Sequence, residues 1–330
     1  MSWPSASFET GTIDTASPGL VARDYVGRFA PSPTGPLHFG SLIAAVASYL
    51  DARSRNGRWL LRIEDIDPPR EQPGATGRIL LALERYGFEW DGTVRLQHES
   101  RDAHEECIEM LLRRGLAYPC GCSRRDLDGE AQGTLGTIYP GTCRSGTSAA
   151  ETAIRVFTRQ EPVVFLDALQ GRQSHNIEAT SGDFIIRRKD RLIAYQLAVV
   201  VDDFLQGVTD IVRGIDLMDS TPRQIWLQQL LGYPLPRYAH IPVATNRNQQ
   251  KLSKTQGARE ISLDRVAETL LAALAVLGQD PPGTLATATL DEIWQWSRDH
   301  WNLQALQGQK AVPVEHLALA QVTEFRPGGQ

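Results

Sequence analysis

A parallel, doubly wound α/β sheet carrying an insertion and a helical C-terminal segment is the fold class the sequence predicts. Three observations carry it. Short apolar strand patterns alternate with amphipathic helix patterns over residues 25–116, the signature of strand–helix–strand units. The alternation breaks over 117–183, where strand-like pieces sit among Gly, Thr and Ser, and resumes over 184–260. The remainder, 261–330, is mainly helical, with amphipathic runs at 262–278 and 290–304.

In chain order, residues 1–24 are polar, with neither a basic start nor an apolar stretch, and read as a tail rather than a signal peptide. "YVGRFA" (25–30) reads as a buried strand that ends at Pro31. The helix after it places Leu42, Ile43, Val46, Tyr49 and Leu50 on one face, with Gly57 positioned to end it. "RWLLRIEDID" is the second strand, "PGATGRILLALERYG" the second helix, and "DAHEECIEMLLRRG" the third, after "TVRLQHES". Within the insertion, "AIRVF" and "PVVFLDAL" are strand-like. Strand and helix signals return in "DFIIRRKDRLIAYQLAVVVDDFLQGVTDIVRG" and "TPRQIWLQQLLG".

The composition sets limits. The chain has 330 residues, enough for a sizeable core, with 42% hydrophobic and 22% charged residues, as in an ordinary globular protein. A net charge of −5 gives no global field toward nucleic acid, so an RNA partner would need a local basic face. Four cysteines are too few for a disulfide scaffold, so reduced thiols and a cytoplasmic location are expected. No apolar run is long enough to span a membrane.

The loop "FAPSPTGPLHFGS" (29–41) leads into a helix, whose first N–H groups are unpaired and suit a phosphate. Gly35 and Gly40 allow close approach of a ligand, the prolines stiffen the loop, and His38 stands at the helix mouth. Taken alone, the same stretch is equally a Pro-rich turn with a helix-capping histidine. "KLSKT" (251–255), taken alone, is a solvated basic loop.

Together the two stretches resemble the paired signatures of the class I aminoacyl-tRNA synthetases, with "HFGS" at the HIGH motif and "KLSKT" at the KMSKS motif. The resemblance implies a Rossmann-like catalytic domain and attack of a carboxylate on the α-phosphorus of ATP, used with Mg²⁺. Preplaced donors and cations would hold the developing charge. His38, Gly40, Ser41, Lys251 and Lys254 would be the ATP-binding and catalytic residues, with Lys254 closing on the phosphates and Lys251 assisting. Leu252 stands where the motif has methionine, a near-isosteric change.

"GRFAPSPTGPLHFGSL" is similar to the opening of the glutamate- and glutamine-specific synthetases. That likeness implies glutamate contacts from Arg28, Phe29, Ala30, Pro31 and Ser32. "LLRIEDID" places Glu64 for the α-ammonium group, while "YQLAVVVDD" and "IVRGIDL" place Tyr195 and Arg213 at the remaining substrate positions. A guanidinium fork binds a carboxylate bidentately, which favours glutamate over glutamine, although each arginine alone also reads as an ordinary ion pair.

Cys120, Cys122 and Cys143 suit tetrahedral zinc, although Cys-x-Cys is less diagnostic than Cys-x-x-Cys and ordinary thiols fit as well. The resemblance adds Tyr139 as the fourth ligand of one structural Zn²⁺, with His175 or a water as the substitute. Cys107 falls in a helix pattern and reads as packing, as do Trp294 and Trp301.

About 75 residues follow "KLSKT", too few for the usual anticodon-binding domain, so 261–330 is expected to lack one. This shorter form resembles the glutamyl-Q tRNA(Asp) synthetases over residues 25 to about 305. The resemblance implies glutamyl-adenylate formation and transfer of glutamate to queuosine in the anticodon loop of tRNA(Asp). L-glutamate, ATP and queuosine-containing tRNA(Asp) would be the partners of a monomer, with no membrane involved. The competing readings are a truncated glutamyl-tRNA synthetase charging the 3′ end of tRNA(Glu) and a non-catalytic zinc-binding RNA module.

Overall fold

The computed structural model describes residues 24–245 and 260–314. The expected tail, and the loop that holds Lys251 and Lys254, lie outside the described residues. The first unit runs β1 (Val26–Phe29), α1 (Phe39–Arg53), β2 (Arg58–Ile63), α2 (Ala75–Arg85), β3 (Arg95–Leu96) and α3 (Arg101–Arg113). Short pieces follow: β4 (Ala117–Cys120), β5 (Gln132–Gly133), β6 (Gly136–Thr137), β7 (Ala153–Val156), β8 (Val163–Asp167), β9 (Gly171–His175), α4 (Ile177–Thr180) and β10 (Ile185–Arg187). Next come α5 (Tyr195–Leu205), β11 (Asp210–Gly214), α6 (Thr221–Leu231), β12 (Arg237–Ile241) and β13 (Val243–Thr245). Helices α7 (Val266–Val276) and α8 (Leu290–His300) and strand β14 (Ala311–Pro313) complete the described chain.

The sheets are mixed. β1, β2 and β3 pair in parallel, as do β11, β12 and β8, while β9 joins β8 antiparallel. The two sets meet where the N–H of Thr209, just before β11, donates to the Val26 carbonyl in β1 at 2.9 Å. A second, antiparallel sheet has the order β10–β7–β4. Strand β8 comes from the stretch read as insertion, yet it hydrogen-bonds beside β12 and so belongs to the sheet under the site. Apolar patterning marks β8 as a strand; it carries no information on the strand's partner.

Helix α1 buries the face its sequence draws: Leu42, Ile43, Val46, Tyr49 and Leu50 are at most 2% exposed. Its core continues through β2 to α7 and α8, with Trp59 fully buried. Tyr49 sits edge-on to Trp59, Phe88 and Trp294 at centroid distances of 5.1, 5.4 and 4.9 Å. Such pairs contribute about 0.5–1.5 kcal/mol each beyond area burial. Trp294 is therefore core, as its helical spacing indicates. A second core joins α3, α5 and α6 and takes in Cys107; a third, small one surrounds Tyr118, Cys120, Tyr139 and Cys143. Helix α8 opens with a reciprocal capping box between Thr289 and Glu292. Among the described residues no helix is long and apolar enough to cross a membrane.

Candidate functional site

The loop after β1, the N-terminus of α1 and the C-terminal ends of β2, β11 and β12 enclose a cavity of about 440 Å³. Arg28, Phe29, Ala30, Pro31, Ser32, His38, Gly40, Ser41, Glu64, Tyr195 and Arg213 all line it. Residues separated by nearly two hundred positions are thus brought to one hollow.

His38 is the N-cap of α1. Its Nδ1 accepts from the Ser41 N–H at 3.3 Å, and its Nε2 lies 3.0 Å from the Ser41 hydroxyl. The capping reading of this histidine is the observed one. Acceptance at Nδ1 leaves the proton of a neutral ring on Nε2. The first turn of α1 holds no acidic residue, so nothing there offsets the positive helix end.

A buried ionic network forms the floor. Asp203 accepts from Arg28 Nε at 3.2 Å and pairs with Arg62 Nη1 at 2.8 Å. Arg62 Nη2 continues to Glu64 at 3.3 Å and Nη1 to Gln206 at 2.6 Å. All four charged residues are buried, Arg62 completely. Burial pushes the Glu64 carboxyl up, opposed by the charges of Arg62 and Arg28. Burial likewise raises the Tyr195 hydroxyl. Arg28 spends its Nε–Nη2 edge on Asp203, which leaves the Nη1 end of the guanidinium for a ligand.

Arg213 is held the same way. Its Nε donates to His240 Nε2 at 3.1 Å and its Nη2 to the Thr221 hydroxyl at 2.7 Å. Nη1 is buried and has no hydrogen-bond partner among the described residues. A buried donor in that state costs about 1–3 kcal/mol, so it calls for an acceptor from outside the chain.

Apart from this cavity, the sulfurs of Cys120, Cys122 and Cys143 lie within 4.8 Å of one another. Tetrahedral zinc–thiolate bonds of about 2.3 Å separate ligand sulfurs by about 3.8 Å, so the three thiols fit that ion with little movement. The Tyr139 hydroxyl is 3.4 Å from Cys120 Sγ and 3.8 Å from Cys122 Sγ, and it accepts from the Cys143 N–H at 2.8 Å. Burial pushes the Cys143 thiol up, but hydrogen bonds from Tyr139 and the Gly121 backbone outweigh it and bring the thiol down to about 7. Gly182 adopts φ +64 against Tyr139, where a Cβ would stand 2.2 Å from the Tyr139 carbonyl oxygen. Tyr139 is thus seated by a position that only glycine suits. Among the described residues, this is the group whose geometry could hold a metal ion.

The model for the catalytic domain of class I tRNA synthetases (E and Q) matches residues 25–297. The glutamyl-Q tRNA(Asp) synthetase of Pseudomonas aeruginosa is 51% identical over 298 residues, covering 90% of this chain and 100% of that protein. That of Dechloromonas aromatica is 50% identical over 293 residues, covering 87% and 97%. The chain belongs to the glutamyl-Q tRNA(Asp) synthetase family of class I synthetases. A crystal structure of a glutamate tRNA ligase from Elizabethkingia meningosepticum, in complex with its amino acid, superposes with a TM-score of 0.75. It shares 22% identity and is covered over 67% of its length, against 89% of this chain, a likeness of fold.

As a class I synthetase catalytic domain the chain is a ligase, and sequence reasoning named about half of its cavity wall. It missed Arg62, Asp203, His240 and Asp167. Signals for the first two existed: Arg62 interrupts an otherwise apolar strand, and Asp202–Asp203 end the apolar run of α5. His240 and Asp167 had none, because their meaning depends on β8 lying beside β12.

Proposed function

We propose that the chain activates L-glutamate with ATP to glutamyl-adenylate and transfers glutamate to queuosine in the anticodon loop of tRNA(Asp). The observation that carries this reading is the cavity in which Arg28, Glu64, Tyr195 and the unpartnered Nη1 of Arg213 converge. Two guanidinium corners suit the carboxylates of glutamate and Glu64 its ammonium group, whereas a neutral side-chain amide would leave a buried guanidinium uncompensated. Phe29, Ala30, Pro31 and Ser32 supply the loop wall. The relatives' shared name gives the acceptor.

For activation, the substrate carboxylate attacks the α-phosphorus and pyrophosphate leaves. His38, through Nε2–H, the Gly40 N–H and the Ser41 hydroxyl at the start of α1 meet the phosphates. Lys251 and Lys254 are assigned from sequence alone to the same task. Mg²⁺ accompanying ATP supplies charge neutralisation at the phosphates. One Zn²⁺ held by Cys120, Cys122, Tyr139 and Cys143 would be structural, fastening a small piece with little core of its own.

The two parallel strand sets read as halves of one doubly wound sheet, drawn from 25–116 and 184–260, with β8 added from the stretch between them. On this view 117–183 carries the zinc insertion and 261–330 the helical segment. The protein is expected to be a cytoplasmic monomer. The test is transfer of labelled glutamate, with ATP, to tRNA(Asp) with and without queuosine and to tRNA(Glu). Label confined to queuosine-bearing tRNA(Asp) supports the reading. Label on tRNA(Glu) makes the chain a tRNA-charging enzyme, and no label on any of them overturns the ligase assignment for glutamate.

A further inference from the structure

We infer that His240 is a positioning residue for the substrate: held by Asp167, it accepts from Arg213 and leaves Nη1 as the corner of that guanidinium facing the cavity. The inference rests on the glutamate-binding reading of the cavity. His240 is fully buried in β12, one strand away from Arg213 in β11 and paired with it in register.

The proton positions follow from the donors. An arginine Nε–H only donates, so His240 Nε2, 3.1 Å away, accepts and carries no proton. The proton of the neutral ring is then on Nδ1, which donates to Asp167 Oδ2 at 2.6 Å. Asp167 is fixed in turn by the backbone N–H groups of Leu169 and Gln170 at 3.0 and 2.9 Å. Thr221 takes Arg213 Nη2 from the other side and also lies 3.0 Å from His240 Nε2.

An imidazolium at this place would point a proton at a guanidinium. Burial lowers the His240 pKa, and the Arg213 charge lowers it further, against the raising influence of Asp167 and Asp216. The ring therefore acts as a neutral acceptor rather than an acid or base. Three groups on β8, β12 and α6 thus aim one donor, and none of them lines the cavity.

Two measurements test this. In glutamate-dependent ATP–pyrophosphate exchange, His240→Ala should raise the KM for glutamate about tenfold or more with the KM for ATP unchanged. His240→Gln, whose amide oxygen can stand where Nε2 stood, should recover much of the loss. Equal changes in both KM values, or a His240→Ala enzyme like the wild type, would overturn the inference while leaving the wild-type activity and the site reading intact. A wild type that shows no glutamate-dependent exchange would take both down. Because a buried alanine could unfold the chain, ¹⁵N NMR of the wild-type ring provides the second measurement. A neutral Nδ1–H tautomer at pH 7 supports the arrangement; an imidazolium or an Nε2–H tautomer overturns it.

Discussion

Arg28 Nε lies 3.2 Å from Asp203 Oδ1, and each side chain is about 5% exposed. The same carboxylate takes Arg62, so one acid fixes two guanidinium groups, one of them in the cavity wall. The sequence expects Arg28 at the substrate; the structure adds that Asp203 holds its Nε–Nη2 edge. Pre-ordering of this kind removes the entropy that a free arginine would lose on binding.

Arg62→Met should destabilise the fold by about 3–5 kcal/mol, because it strips the buried Asp203 and Glu64 of a counter-charge. Arg62 is fully buried and lies in the centre of the network, where Arg28 already spends its Nε–Nη2 edge on Asp203. Urea unfolding measures the loss. A cost below about 1 kcal/mol, the range of an exposed pair, would show that the network does not hold the fold.

Glu64→Gln should raise the glutamate KM by about 10–100-fold, since it removes the charge that would receive the ammonium group. The amide is isosteric and keeps the contact to Arg62, so stability should change little. Pyrophosphate exchange at varied glutamate and varied ATP separates the effects. An unchanged glutamate KM would remove Glu64 from the substrate site.

Much of the fold was legible because its elements are locally encoded. The α1 face, the β1 and β2 strands and the break after residue 116 follow from apolar period and turn residues alone. About half of the cavity wall was legible, because residues 28–41, Glu64, Tyr195 and Arg213 lie in the short stretches that carry the family resemblance. What escaped is pairwise. Asp203 matters through Arg28, 175 residues earlier, and Asp167 matters through His240, 73 residues later. No periodicity records such partners, and β8 had been grouped with the insertion although it lies beside β12. His38 shows the reverse case: its position was legible, but only the structure decides that its ring caps α1.

The thiol cluster should bind about one zinc ion per chain, with Cys143→Ser losing it and lowering the melting temperature by on the order of 5–10 °C. The third core holds few apolar side chains, so a metal would supply much of its cohesion. Metal analysis of the purified protein, and thermal melts before and after a strong chelator, check this. Protein free of zinc, or melts that the chelator does not move, would leave the cysteines as packed thiols.

Asp202 predicts an acid-sensitive step. It is fully buried, accepts from Gln97 at 2.8 Å and His104 at 3.1 Å, and feels the Arg62 charge. Burial raises its carboxyl, yet these partners outweigh burial and hold it below the ordinary aspartate value. The unfolded chain, with an aspartate value of about 3.9, therefore binds this proton more readily than the native one. The stabilisation is present in full above that value and is lost as pH falls through the lower folded value. Asp202→Asn removes the titrating group, so the stability gap between wild type and variant should be widest near neutrality and narrow as pH falls below about 4. Urea unfolding of both proteins across that range measures it. A gap that stays constant with pH would mean that Asp202 contributes by shape and hydrogen bonding, with no part for its charge.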